Sequence, residues 1–174
     1  MGRELRMVPP NWEHPKKATW DFRKNCSVDH YIPMHNRNFD EASANWIREF
    51  QKFLAENPSG KNDKGYFFWE WEGNPPVKEQ HQTFTKAEAT WFQVYETVSE
   101  GTPLTPPFQT KQEIVEYLTT KGDFWQQIDP SSWRGKAWSR AAAEKFVEVG
   151  HAMSFVVSPK HGIQSGHEAL ANEP

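Results

Sequence analysis

Residues 91–122 run W-F-Q-V-Y-E-T-V-S-E-G-T-P-L-T-P-P-F-Q-T-K-Q-E-I-V-E-Y-L-T-T-K-G, and no other stretch of the chain leaves so few conformations open. Alternation with period two over 91–98 puts Phe92, Val94, Glu96 and Val98 on one face and Trp91, Gln93, Tyr95 and Thr97 on the other, as in a half-buried strand. The chain then turns, because Gly101 takes positive φ at little cost while Pro103 fixes its own φ and drives Thr102 towards extended geometry. Thr110 and Glu113 form a T-x-x-E capping box, Ile114, Val115 and Leu118 make an apolar stripe, and Gly122 ends the helix. Strand, tight turn, extended proline segment and helix is the expected product, and the rest of the core is expected to gather on it.

One residue breaks the strand's pattern. Glu96 shares a face with Phe92, Val94 and Val98, so its carboxylate must find a donor, reach the rim of the sheet or shift its pKa. The plain reading is a salt bridge or an edge position. The sharper one is a ligand-binding carboxylate or general base, next to the turn hydroxyls Ser99 and Thr102 and the second carboxylate Glu100.

A chain of 174 residues is one domain's worth and can bury a real core. With a mean hydropathy of −0.87 aliphatic residues are scarce, yet there are 9 Trp, 12 Phe and 4 Tyr, so the core has to be built largely from rings. The lone Cys26 excludes an intramolecular disulfide framework and a cysteine zinc cluster. No apolar run reaches the roughly 20 residues that span a bilayer, and M-G-R-E-L-R carries no apolar signal core, so a cytoplasmic setting with no membrane contact is the default expectation.

Net charge is −3. Residues 1–39 hold seven Lys/Arg against four Asp/Glu, or +3, and residues 40–174 hold thirteen against nineteen, or −6. A domain that grips phosphate backbones is usually basic overall, so nucleic acid is not the favoured partner. The acidic larger part suits a basic surface on a protein partner, although an ordinary solvated surface explains it equally well.

Residues 1–11 are expected as an extended arm, since Pro9 and Pro10 forbid helix, and residues 12–40 as a long loop plugged by rings. The histidines of that loop show no zinc spacing, so no metal is expected. Asp40 is expected to cap a helix over 41–56 whose stripe is Trp46, Ile47, Phe50, Phe53 and Leu54. Y-F-F-W-E-W at 66–71 is expected as a strand with rings on both faces, needing cover from another layer or from a partner. Trp133, Arg134 and Lys136 alternate ring and cation in a second aromatic loop, where they could stack on bases or clamp an anion, or where the rings simply pin the loop to the core. Ser139 caps a helix over 140–149 that buries Ala142, Phe146 and Val149, residues 153–157 form a short buried strand, and Ser165 with Glu168 caps a last helical turn. No internal repeat, Walker A loop, G-x-G-x-x-G, H-E-x-x-H or G-x-S-x-G occurs, which removes the common enzyme classes and implies no cofactor.

The opening M-G-R-E-L-R-M-V-P-P-N-W-E-H-P, the central F-Q-V-Y-E-T-V-S-E-G-T-P-L-T-P-P-F and the later W-S-R-A-A-A-E-K-F-V-E with M-S-F-V-V resemble a group of small uncharacterised proteins encoded by tailed bacteriophages and prophages. The likeness covers three blocks over most of the chain and is weakest across residues 30–90. It brings no activity and no catalytic residue. What it implies is a phage product acting in the cytoplasm of an infected bacterial host.

The sequence therefore predicts a single α+β domain, with a small and mostly antiparallel sheet formed by 66–71, 91–98 and 153–157 and helices 41–56, 111–121 and 140–149 packed on it. The expected function is that of a non-enzymatic accessory protein that binds a host or phage macromolecule, for example to blunt an antiviral defence. The alternatives are a small enzyme or nucleotide-binding protein using Tyr95, Glu96, Ser99, Glu100 and Thr102 at the strand-turn 95–102, and a virion or assembly component.

Overall fold

The computed structural model of the chain describes residues 2–99, 101–128 and 137–171. In chain order its elements are β1 (Arg3–Val8), β2 (Lys16–Asp21), β3 (Cys26–Tyr31), β4 (His35–Asn38), α1 (Phe39–Glu56), α2 (Phe68–Trp71), β5 (His81–Gln82), β6 (Trp91–Glu96), β7 (Thr102–Pro103), α3 (Lys111–Thr120), α4 (Phe124–Ile128), α5 (Arg140–Val149), β8 (His151–Ala152), β9 (Phe155–Ser158), β10 (Gly162–Ser165) and α6 (Gly166–Leu170). The expected α+β class is what the structure shows. The chain divides into two compact units, one of Met1–Pro33 with Lys86–Pro174 and one of Met34–Thr85.

The larger unit is built on a four-stranded antiparallel sheet in the order β7-β6-β1-β8. Its inner pair is β1 and β6, in register from Arg3 opposite Glu96 to Val8 opposite Trp91. The opening segment is thus an interior strand rather than an arm. Pro9 and Pro10 follow the last strand residue instead of interrupting it, so every N–H of β1 remains able to pair. The adjoining segment also carries more structure than a loop, since β2 and β3 form an antiparallel hairpin.

Beyond β6 the chain follows the local chemistry. Gly101 has φ +103° in the turn, and β7 returns along β6 with Thr102 opposite Glu96. Thr110 Oγ1 accepts the Glu113 N–H at 3.2 Å while the Glu113 carboxylate accepts the Thr110 N–H at 2.9 Å, so the capping box starts α3 as read from sequence. Ser139 Oγ accepts the Ala142 N–H to start α5, left-handed Gly150 ends it, and Ser165 with Glu168 closes the capping box of α6. Val94, Leu104, Ile114, Val115, Leu118, Trp138, Ala142 and Phe146 meet in one apolar cluster between the sheet and these helices.

Three further expected features of this unit are corrected, the first being that β6 ends at Glu96 and Val98 beyond it is exposed. Val149 is exposed, and Ala143 and Val147 join Ala142 and Phe146 on the buried face of α5. The apolar run at 153–157 is not a buried strand: among the described residues β9 pairs only with β10, and one face of that two-stranded sheet is open, with Phe155 63% and Val157 64% exposed.

The smaller unit packs α1 against α2. Asn38, not Asp40, caps α1, its Oδ1 accepting the Asp40 N–H at 2.8 Å. Trp46, Phe50 and Phe53 surround the buried Phe68 at ring separations of 5.2, 5.3 and 5.4 Å, while Ile47 and Leu54 face solvent. Residues 66–71 are therefore not a strand. Phe68 is drawn into the α1 stripe, Glu70 Oε2 takes the Phe67 N–H at 2.8 Å, and the turn of helix that results points Tyr66, Trp69 and Trp71 outward. Beside it β4 and β5 pair in parallel across an irregularity between His35 and Asn38.

One histidine makes the larger unit sensitive to acid. His167 stacks on Trp138 with ring centroids 4.7 Å apart, its Nδ1 is buried without a hydrogen-bond partner, and burial, then the Arg3 charge, lower its pKa to about 4. As pH falls below about 6.5 the unfolded chain takes up this proton first, so stability drops between about 6.5 and about 4 and levels off below that. The expected loss by pH 5 is roughly 2 kcal/mol from this group. Urea unfolding at pH 7 and pH 5 measures it, and His167→Phe should remove this part of the difference.

Candidate functional site

Opposite residues on an antiparallel pair share a face, so Arg3, Leu5, Phe92, Val94 and Glu96 look towards the helices while Arg6, Val8, Gln93 and Tyr95 look the other way. The second face carries an open cleft of about 660 Å3. Trp12, Tyr31, Tyr117 and Phe124 supply its rings, Pro103, Pro106 and Pro107 its rigid edge, and Glu13, His14, Lys16, Gln93, Thr105 and Gln127 its polar groups. This volume falls in the range of small-ligand and side-chain pockets.

A chain of hydrogen bonds forms the cleft floor. Gln93 Nε2 donates to Thr105 O at 2.7 Å, and Tyr95 Oη donates to Gln93 Oε1 at 2.8 Å. His14 Nδ1 lies 3.2 Å from Tyr95 Oη, and His14 Nε2 lies 2.7 Å from Ile32 O. Thr105 Oγ1 donates to Pro106 O at 2.9 Å and accepts the Val94 N–H at 3.1 Å. Behind the floor, Arg6 is ion-paired with Glu4 and holds its guanidinium 4.5 Å from the centre of the Tyr95 ring. Burial leaves the Tyr95 phenol well above its ordinary pKa, with the nearby Trp12 indole N–H and the Arg6 charge opposing it. Burial lowers the pKa of His14, with Arg6 adding to the effect and the Ile32 carbonyl opposing it, so the imidazole is neutral near pH 7.

The residues singled out at the strand-turn do not form one site. Tyr95 and Glu96 are both buried, but on opposite faces of β6. Glu96 Oε1, on the helix side, is buried with no hydrogen-bond partner, as is Ser99 Oγ in the turn beyond the strand. Thr102 is half-buried opposite Glu96. Glu100, Trp133, Arg134 and Lys136 lie outside the described residues. On the same side as Glu96, Arg3 Nε donates to Asp123 Oδ2 at 2.6 Å, and Arg3 Cζ lies 5.5 Å from the centre of the Trp138 ring.

The cleft is what sequence reasoning missed. Trp12 and His14 were legible only as plugs of a loop, because the floor joins positions 14, 32, 93, 95 and 105, which only strand pairing and the β2–β3 hairpin bring together. A signal did exist in Gln93, a polar residue placed between hydrophobic neighbours on a strand expected to be buried. Among the described residues no group of three metal-ligating side chains occurs, and no helix is long and apolar enough to cross a membrane. Comparison with protein-family models, curated proteins and solved structures gives no match to this chain.

Tyr95→Phe should cost about 1–2 kcal/mol in denaturant unfolding at pH 7, because the deleted hydroxyl is the shared partner of Gln93 Oε1 and His14 Nδ1. A change below about 0.5 kcal/mol would show that the floor does not depend on this hydroxyl.

Proposed function

We propose that the chain is a non-enzymatic accessory protein that works in the cytoplasm of a phage-infected bacterium by binding a host or phage macromolecule, a protein being the partner. The observation that carries this reading is the cleft itself: its walls are rings and prolines, whereas its imidazole and hydroxyls are engaged in holding its floor. Groups tied down in this way support recognition better than they support attack on a substrate. Rings of this size are the side chains that most often anchor protein interfaces. The resemblance of three sequence blocks to phage and prophage proteins supports the setting.

Affinity purification of the tagged protein from infected cells, with mass spectrometry of what is retained, tests this reading. One host or phage protein should be enriched, and Phe124→Ala, which removes a part-exposed ring from the cleft wall, should weaken its retention at least about tenfold. Recovery of the same partner by Phe124→Ala, or turnover of a nucleotide or protein substrate by the purified chain, would overturn it.

One observation favours a second reading, of a small nucleotide-binding protein or enzyme working at the end of β6. Glu96 Oε1 and Ser99 Oγ are each buried without a partner, and a hydroxyl or amine donor is what such a carboxylate oxygen lacks. Saturable thermal stabilisation by a nucleotide or cyclic oligonucleotide, lost in Glu96→Gln, is the expected result on this reading. No response across such a panel would leave it without support.

A further inference from the structure

The floor of the cleft is one proton short. Ile32 O can only accept, so His14 Nε2 carries the hydrogen and, in the neutral ring, Nδ1 is an acceptor. Thr105 O can also only accept, so the NH2 group of Gln93 faces it and Gln93 Oε1 turns towards Tyr95. The Tyr95 hydroxyl has a single hydrogen and two acceptors within reach, Gln93 Oε1 at 2.8 Å and His14 Nδ1 at 3.2 Å. Whichever one it serves, the other lacks a donor within this network, and both residues line the cleft. An added donor restores the balance: a proton on His14, or an N–H brought in from outside.

We infer that the cleft receives the guanidinium of an arginine side chain presented by the protein partner, which rests on the proposed binding function and names what that surface reads. A guanidinium is planar and carries five N–H donors, so it can stack on a ring wall while giving the floor the hydrogen it lacks. Ring faces bordering this cleft already hold cations of the chain itself, with Lys16 Nζ 4.9 Å from the Tyr31 centroid and Lys121 Nζ 5.5 Å from that of Tyr117. Trp12 and Phe124 are the further ring walls, and Glu13 is the carboxylate in the lining.

Protonation and binding therefore compete for one vacancy. The charged and titratable groups that face His14 are Arg6 and Glu4 from β1, Glu13 and Lys16 from its own segment, Tyr31 from β3 and Tyr95 from β6. Since a donor from the partner and the Nδ1 proton satisfy the same shortage, occupancy of the cleft should make His14 harder to protonate, and acid should weaken binding by the same factor.

The test uses the full chain and acetyl-Gly-Arg-Gly-amide as probe, with counterparts in which citrulline, lysine or norleucine replaces arginine, followed by NMR of the Trp12 indole N–H and the His14 ring. The arginine peptide should move both resonances saturably, with a Kd of about a millimolar as fits a single side chain. Citrulline and lysine should bind at least about fivefold more weakly, and norleucine should leave both resonances unmoved. Saturating arginine peptide should shift the His14 titration midpoint to lower pH, and Glu13→Gln, at an exposed rim position that keeps the floor intact, should weaken binding several-fold. Equal binding of citrulline, an unmoved or raised His14 midpoint, or no saturable response overturns the arginine assignment. If the peptide fails while the captured partner still depends on Phe124, only this assignment falls; if capture is indifferent to Phe124, the broader reading falls whatever the peptide does.

Discussion

The buried bond between Arg3 and Asp123 fixes how the first strand meets the later half of the larger unit. It ties the first strand to the start of α4, 120 residues further on, and Asp123 is fully buried. Taking two charges out of water is expensive, and the cost is offset only when both are hydrogen-bonded on several sides. Asp123 meets that condition, with Oδ2 on Arg3 and Oδ1 accepting the N–H groups of Trp125 and Gln126. Gln126 Oε1 in turn accepts the Asp123 N–H at 2.7 Å, and Gly122 must keep positive φ and lack a side chain because a Cβ there would strike that glutamine. A pair of this kind adds little net stability over apolar packing, yet breaking it by removing one partner typically costs about 3–5 kcal/mol. It acts as a registry device, since β1 can sit in only one alignment if Arg3 is to reach Asp123.

That alignment sends different chemistry to the two faces of the sheet. Towards the helices the polar content is ionic: Arg3 and Asp123 are paired, and Glu96 lies opposite Arg3 in register. Towards the cleft it is mainly a neutral relay through His14, Tyr95 and Gln93, with the Arg6–Glu4 pair lying behind it. An ionic contact resists rearrangement because each charge left alone is so costly. In a neutral relay a hydroxyl hydrogen can swing from one acceptor to another at little expense. The rigid face therefore anchors the strands, and the adaptable face is the one that borders the cleft.

Features set by neighbours in sequence were legible from sequence, and those set by distant partners were not. The capping boxes of Thr110 with Glu113 and of Ser165 with Glu168, the Ser139 cap and the left-handed Gly101, Gly122 and Gly150 each depend on a few adjacent residues. The place of β1 inside the sheet depends on β6, which begins more than 80 residues later, and the Pro9–Pro10 pair, which taken alone suggests an arm, only marks the strand's end. Residues 66–71 alternate as a strand would, but Phe68 fills the space between Trp46, Phe50 and Phe53, and that packing overrode the alternation. Glu96 stands out of pattern in the sequence, and the separation of Tyr95 and Glu96 onto opposite faces is implicit in the same period-two alternation. The cleft could not be foreseen from any one segment, since its rings come from positions 12, 31, 117 and 124.

Scarce aliphatic side chains explain why so many rings remain half in water. In the smaller unit the ring cluster closes over Phe68 alone among its aromatics on α1 and α2, and Trp46, Phe50 and Phe53 stay partly exposed around it. Phe67 and Trp69 stack on one another at 4.8 Å, while Lys61 lies 4.5 Å over Phe67 and Lys64 5.3 Å over Trp71. A flexible cationic side chain laid across a ring shields apolar area while its charge remains hydrated, and the ring quadrupole adds about 0.5–1 kcal/mol at such exposed sites. Ring-and-cation pairs of this sort need no ligand to account for them. The cleft of the larger unit differs on one physical point: its rings border a hydrogen-bonded floor in which the one hydrogen of the Tyr95 hydroxyl lies within reach of two acceptors.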